Sequence, residues 1–174
     1  MNIVWLWYPT AFWPDGYNFL GTTRDATTTA TFSTFVVLRL YDDRGVRQPI
    51  LMGQVVGEYA RRIETQTPWQ IAHEATRVLR GMFGVERVPD AIGCDHSAWS
   101  SDAWACGSWS YVDVSARASP ATVVEADTVN DGTSAVYYAG EGLSHCNTAH
   151  GAYLSGEREV RKMIERLFRR PAMP

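Results

Sequence analysis

The apolar positions of this chain follow the period of strands first and the period of helices later. Ile3 to Tyr8 is a short apolar and aromatic run that stops at Pro9, the pattern of a buried strand. Pro14-Asp15-Gly16 is a turn. Thr22 to Thr34 is Thr-rich and weakly patterned and predicts a loop entering a strand. Phe35 to Tyr41 reads as that strand, and Asp42-Asp43-Arg44-Gly45 as a hairpin-type turn. Ile50 to Val56 is the next strand, ended by Gly57. Gly53 in its middle marks a bulge or a close backbone contact.

The period then changes. Thr67 is placed to cap a helix, Pro68 suits its first position, and Gln70 completes a Thr-x-x-Gln capping box. Ile71, Ala72, Ala75, Val78, Leu79 and Met82 recur at helical spacing, and Gly84 is a C-terminal stop. Trp69 and His73 read as packing and surface residues. Arg87 to Trp99 should be extended, whereas Trp99 to Tyr111 is rich in Trp, Ser and Gly and too irregular for a helix. Ala118 to Thr133 reads as a loop or linker, and Ala135 to Ala139 as a short buried strand ended by Gly140-Glu141-Gly142. A last helix starts near Thr148 and runs to about Arg169, with an apolar stripe of Val160, Met163, Ile164, Leu167 and Phe168. Glu157–Arg161 and Glu165–Arg169 are i,i+4 pairs on its exposed face, and Pro171 ends it. The class that follows is α+β with a piece of α/β.

Composition adds bounds. Apolar residues make up 45% and charged residues 20%, and seven Trp, eight Tyr and six Phe supply ample surface to bury, a composition that argues against disorder. The net charge of −3 sets up no strong field for nucleic acid or membrane. The basic last helix, with Arg158, Arg161, Arg166, Arg169 and Arg170, also carries Glu157, Glu159 and Glu165 and reads as a solvated face. Cys94, Cys106 and Cys146 are too few, and odd in number, for a disulfide scaffold, which fits a reducing compartment. The N-terminal run lacks the basic region and cleavage site of a signal peptide and is too short to span a membrane. The expectation is therefore an intracellular, cytoplasmic protein.

Chemistry concentrates where Tyr137-Tyr138-Ala139-Gly140-Glu141 precedes Asn147-Thr148-Ala149-His150-Gly151-Ala152. A helix N-terminus has unpaired N–H groups and partial positive charge, and favours an electron-rich group placed against it. Gly151 and Ala152 would let a planar ligand approach the backbone, and Glu141 at a strand tip can accept hydrogen bonds from ribityl or ribose hydroxyls. On physics alone, the same residues also suit a simple strand–helix connection in which Gly and Ala allow tight packing.

Three blocks resemble one family. Ala139-Gly140-Glu141, a loop, then Thr148-Ala149-His150-Gly151-Ala152-Tyr153-Leu154-Ser155-Gly156-Glu157-Arg158-Glu159 is similar to the C-terminal flavin motif of the flavin amine oxidases. That superfamily includes polyamine oxidases, monoamine oxidases and lysine-specific histone demethylases. Trp99-Ser100-Ser101-Asp102-Ala103-Trp104-Ala105-Cys106-Gly107-Ser108-Trp109-Ser110 looks like the family's Trp-x-x-Asp-x-Trp-Ala-x-Gly-Ser-aromatic-Ser stretch. It favours the amine oxidases over carotenoid desaturase-like or protoporphyrinogen oxidase-like flavoproteins. Ile50 to Arg62, with Val56-Gly57-Glu58, resembles the family strand and short helix before the capped helix.

The resemblance implies an FAD-dependent amine oxidase, in which the amine C–N bond is oxidised by hydride transfer to flavin and oxygen reoxidises the flavin. It implies the C-terminal part of a two-domain enzyme. Residues 1–97 would belong to the substrate-binding domain, with a mixed or antiparallel sheet. Residues 98–174 would belong to the FAD-binding, Rossmann-like domain and supply its closing strand and helix. Gly140 and Glu141 match positions at the ribityl and pyrophosphate region of FAD. Thr148, Ala149 and Ala152 match positions against the isoalloxazine ring, and Trp104 and Ser108 match cofactor-packing positions. Trp109 falls where the family often has a Tyr lining the substrate cavity, with Thr148 as part of the same slot.

Two departures accompany the match. The Gly-x-Gly-x-x-Gly dinucleotide fingerprint of the family is absent from these residues. Alignment on Phe12-Trp13 puts Ile3 where many members carry a lysine that holds a water beside the flavin, so no catalytic residue is assigned. The expected partners are a small-molecule or peptidyl amine and a separate chain carrying the Gly-rich FAD-binding half, with no nucleic acid and no membrane. The alternative is a non-catalytic remnant or interaction module. Standing alone, the chain should expose apolar faces and self-associate. His145, Cys146 and His150, and the Cys94-x-His96 pair, lack the four-ligand spacing of zinc, and no nucleophile-elbow motif supports a hydrolase, so no metal is expected.

Overall fold

The computed structural model describes residues 1–22, 31–111, 136–144 and 146–168. The chain divides into two compact units, Met1–Ser108 and Trp109–Pro174.

Among the described residues, the first unit is a five-stranded antiparallel sheet with two helices. Its strands are β1 (Asn2–Trp7), β2 (Phe19–Gly21), β3 (Thr34–Val37), β4 (Ile50–Val55) and β5 (Gly93–His96), and its helices α1 (Gly57–Ile63) and α2 (Pro68–Phe83). The sheet order is β2-β3-β4-β1-β5, so β1 lies between β4 and β5, with Leu6 opposite Leu51 on one side and Cys94 on the other. Strict alternation along β1 buries Asn2, Val4 and Leu6 and leaves Ile3, Trp5 and Trp7 half-buried on the opposite face.

The core gathers Val4, Leu6, Phe35, Leu51 and Val55 from the strands against Ile71, Ala75 and Leu79 of α2. Helix α2 begins as its capping signals predict. Thr67 Oγ1 accepts from the Gln70 N–H, the Gln70 side chain accepts from the Thr67 N–H at 2.9 Å, and Gly84 follows the last turn with φ 93°. The hydroxyls of Tyr8 and Thr76 pair at 3.1 Å inside the core, where burial pushes the tyrosine pKa up to about 12.

Some boundaries differ from the sequence pattern. The strand expected over Phe35–Tyr41 is paired as Thr34–Val37. Beyond it a single bridge joins Tyr41 to Arg47 around the turn, where the Asp42 carboxylate accepts from the Val46 and Arg44 N–H groups. Of the extended stretch Arg87–Trp99, only Gly93–His96 pairs, because β1 offers a ladder there alone. The short strand β2 has no hydrophobic run to announce it and forms because β3 presents a free edge.

The second unit holds a 3-10 turn, Glu141–Leu143, and a long helix, α3 (Ala149–Phe168). The buried strand expected over Ala135–Ala139 is not found in its described part. Residues 136–139 belong to no strand, and Val136 and Tyr138 are exposed. A strand needs a neighbour to complete its hydrogen bonds, and the second unit contains none among the described residues. The loop expected over Ala118–Thr133, Ala135, His145 and the end of the last helix at Arg169–Pro171 lie outside the described residues.

Candidate functional site

Helix α3 is built the reverse way round from an ordinary surface helix. Its buried residues are Gly151, Ser155 and Glu159, one row at a spacing of four. The stripe of Val160, Met163, Ile164, Leu167 and Phe168 faces the other way and is exposed, with Leu167 at 73% and Phe168 at 79%. The small and polar row carries the turn before the helix. Ser155 Oγ accepts from the Gly140 N–H at 2.7 Å and donates to the Gly140 carbonyl at 3.1 Å. Arg158 Nη2 donates to the Leu143 carbonyl at 3.2 Å. Glu159 accepts from Arg158 and Lys162, both at 2.9 Å. Burial opposes its ionisation, yet these two cations hold its carboxyl below the usual range.

This bracing fixes the residues that match the flavin motif. Gly140 adopts φ 155°, a conformation that suits glycine, and directs the chain into the turn. Glu141 follows. Its Oε1 accepts from the Ser110 N–H at 2.9 Å, while its Oε2 is buried with no hydrogen-bond partner among the described residues. Asn147 donates to the Ser110 carbonyl. Thr148, Ala149 and Ala152 lie at the opening turn of α3, where the first N–H groups have no intrahelical acceptor. The Thr148 hydroxyl pairs with His150 Nδ1 at 2.8 Å, and the Thr148 carbonyl accepts from the Ala152 N–H at 3.0 Å. Gly151 has a different role from the one its position suggests. A Cβ there would strike the Cys146 carbonyl and Ser144 Oγ, so its space is taken by this chain's own loop rather than left for a ligand. Trp109 and Tyr111 are exposed in the same unit.

In the first unit the Trp99–Ser108 segment is irregular, as its composition predicts, but locally well tied. Asp102 Oδ1 accepts from the N–H groups of Ala105 and Trp104 at 2.9 and 2.8 Å, which hold its carboxyl below the usual range. The Asp102 carbonyl accepts from the Cys106 N–H at 2.9 Å, and Cys106 sits at φ 53°. This fixed turn holds the Trp104 indole 96% exposed. An indole ordered at its backbone yet stripped of neighbours is a surface suited to contact. Ser108 is half-buried, with the Met1 nitrogen 3.0 Å from its hydroxyl.

Ile3 is half-buried on β1, on the sheet face away from the core. Its N–H donates to Ser97 Oγ at 2.9 Å, and its side chain offers no charge. Cys94 packs against the core, and burial, with Asp95 beside it, pushes its thiol pKa up to about 11. Among the described residues no three His, Cys, Asp or Glu side chains are gathered as a metal ion would need, and no helix is long and apolar enough to cross a membrane.

Sequence reasoning did not single out Asn2, Glu64, Ser97 and Ser101. Asn2 is fully buried. Its Nδ2 donates to the Ala60 carbonyl and to Glu64 Oε1, at 2.8 and 2.6 Å, and its Oδ1 accepts from Ser97 Oγ and the Trp99 N–H. The only local signal is a polar residue on the buried face of an otherwise apolar strand. Ser155, quoted only within the family string, and Glu159, read as part of a solvated face, are both buried. Their signal is a polar row at a spacing of four opposite the apolar stripe.

The model of the family described as flavin containing amine oxidoreductase matches residues 1–164. Lysine-specific histone demethylase 1 homolog 1 of Arabidopsis thaliana is 33% identical over 178 residues, covering 99% of this chain and 20% of that protein. Lysine-specific histone demethylase 1 homolog 2 of the same plant is 31% identical, covering 94% of this chain and 22% of that protein. A possible lysine-specific histone demethylase 1 of Drosophila melanogaster is 30% identical, covering 95% of this chain and 19% of that protein. The chain belongs to the flavin-containing amine oxidoreductases, a family of flavoprotein oxidoreductases. It spans about a fifth of the length of these relatives.

Proposed function

We propose that this chain is the C-terminal part of an FAD-dependent amine oxidase and works together with polypeptide that carries the Gly-rich dinucleotide-binding half. The observation that carries this reading is the Gly140–Glu141 turn. It is braced on α3 by Ser155 and Arg158, and it presents Glu141 Oε2 buried without a partner among the described residues. A buried carboxylate oxygen left open is costly unless a donor arrives, and a ribose or ribityl hydroxyl is such a donor.

Gly140 and Glu141 would hold the sugar and pyrophosphate region of FAD, and Thr148, Ala149 and Ala152 would lie against its ring at the positive end of α3. Trp104 and Ser108 would pack on the cofactor, and Trp109 with Thr148 would line the amine cavity. When bound, FAD supplies the chemistry of hydride acceptance from the amine carbon and of reoxidation by oxygen. The chain's own contribution is to orient the amine along aromatic walls and to exclude water. The substrate class is an amine, small or peptidyl.

The inverted burial of α3 supports the second half of the proposal. Polypeptide beyond this chain accounts for about four fifths of each relative's length, and the exposed Val160–Phe168 stripe is the face it would cover. A second reading, a non-catalytic module derived from an amine oxidase, is favoured by Ile3, which puts an aliphatic side chain where the family resemblance calls for an ammonium. Flavin absorbance of the purified chain decides between them, measured alone and after co-expression with a polypeptide bearing the Gly-rich half. Flavin retained only with the partner, with peroxide released on addition of amines, supports the oxidase. Flavin retained without turnover of any amine supports the module, and no flavin in either preparation overturns the flavin assignment.

A further inference from the structure

Glu64 closes α1, where a negative charge opposes the helix dipole, so its placement calls for compensation. The compensation comes from outside the helix. Its Oε1 accepts from Asn2 Nδ2 at 2.6 Å and from the Ser100 N–H at 3.0 Å, and its Oε2 accepts from Ser101 Oγ at 2.5 Å. Asn2 completes the clasp by holding Ser97 and the Trp99 N–H through its carbonyl. All four hydrogen-bonding positions of the Asn2 amide are thereby used. One buried amide and one carboxylate thus grip residues 97–101 at four points, immediately before the Asp102 turn that presents Trp104. Residues 99–102 belong to no strand or helix, so these side-chain bonds, with the Asp102 N–H to Ala98 carbonyl bond at 3.2 Å, fix the start of the segment.

We propose that Glu64, held by Asn2, is a positioning residue that sets the Trp99–Ser108 segment for contact with the cofactor. The proposal rests on the flavin reading above for what the segment touches, and on this geometry alone for how it is held. Glu64 itself does not reach the cofactor. Its effect passes through Ser100 and Ser101 to the Asp102 turn.

The test compares Glu64→Ala and Glu64→Gln with the wild type in the full chain, by amide hydrogen exchange and by FAD affinity in the co-expressed complex. Glu64→Ala should speed exchange at Ser100, Trp104 and Cys106 roughly ten- to a hundredfold, while Val4 and Leu51 in the sheet keep their wild-type rates. Glu64→Gln keeps an acceptor toward Asn2 and Ser100 and can donate to Ser101 Oγ, so it should restore most of the protection and of the FAD affinity lost in Glu64→Ala. Unchanged exchange in the segment, or equal acceleration in segment and sheet, overturns the positioning role. Segment release with no change in FAD affinity overturns its link to the cofactor. If wild type binds no FAD in the complex, the flavin reading fails while the exchange comparison still decides whether Glu64 holds the segment.

Discussion

The ring of Phe32 lies against the backbone of Gly53, so close that a Cβ on Gly53 would stand 2.8 Å from ring atoms Cδ1 and Cε1. Phe32 is itself wedged, stacked on Phe35 at 5.4 Å and met edge-on by Tyr59 at 5.7 Å, so its ring has little room to retreat. Gly53→Ala should therefore overpack this layer and destabilise the first unit by about 1–3 kcal/mol. Urea denaturation followed by tryptophan fluorescence checks this, and a midpoint at or above that of wild type contradicts it.

The start of α2 offers a separate lever. Thr67 and Gln70 satisfy each other's backbone N–H groups at the surface, away from the Phe32 layer. Thr67→Ala should cost about 1 kcal/mol, and the double variant with Gly53→Ala should show nearly additive losses because the sites share no partner. A surplus well above the sum, measured by the same denaturation, would mean the cap and the sheet are coupled.

These two cases show why some of the fold was legible in the sequence. The limits of α2 are written in residues within one turn of each end, and the strand β1 in an uninterrupted run. The expectation of a close approach at Gly53 needed only a glycine inside a strand. By contrast, the strand expected at 135–139 depends on neighbours that no local pattern supplies. The Asn2–Glu64 bond joins residues 62 positions apart, and the pairing of Gly151 with the Ser144–Cys146 loop depends on how that loop folds. The family resemblance was legible as a string that already contained Ser155 and Arg158, whereas their hold on Gly140 and Leu143 became visible only with the helix in place.

Acid should act on Glu64 in a defined window. Burial works against its ionisation, but the hydrogen bonds from Ser101, Asn2 and Ser100 outweigh it and lower the carboxyl from 4.5 to about 2. Because the folded value lies below the unfolded one, the stabilisation is fully present above about 4.5 and fades as pH falls through about 2. Wild type should exceed Glu64→Gln in stability at neutral pH, with the gap closing across that window. A gap that is constant from pH 7 to pH 2 contradicts the assignment.

The exposed stripe of α3 should govern association. Purified alone, the chain should elute in size-exclusion chromatography as a concentration-dependent oligomer. Replacing Leu167 and Phe168 with Gln should shift it toward monomer, with stability changed by no more than about 0.5 kcal/mol, since both side chains are solvent-facing and glutamine adds no charge at the helix C-terminus. A wild-type chain that is monomeric at every concentration contradicts this. Co-expression with the Gly-rich half should make the same double substitution costly to complex formation.

Every buried hydrophobic side chain among the described residues lies between Val4 and Val88. Heat uptake on melting follows the surface a protein exposes when it unfolds, at about 0.7 kcal/mol per residue near 60 °C for ordinary globular domains. In this chain the residues that anchor α3 bury a glycine, a serine and a glutamate and almost no hydrocarbon. A calorimeter would thus register the first unit melting while α3 absorbs little. Any enthalpy that appears only when the proposed partner polypeptide is added would be the thermal signature of α3 at last acquiring an interior.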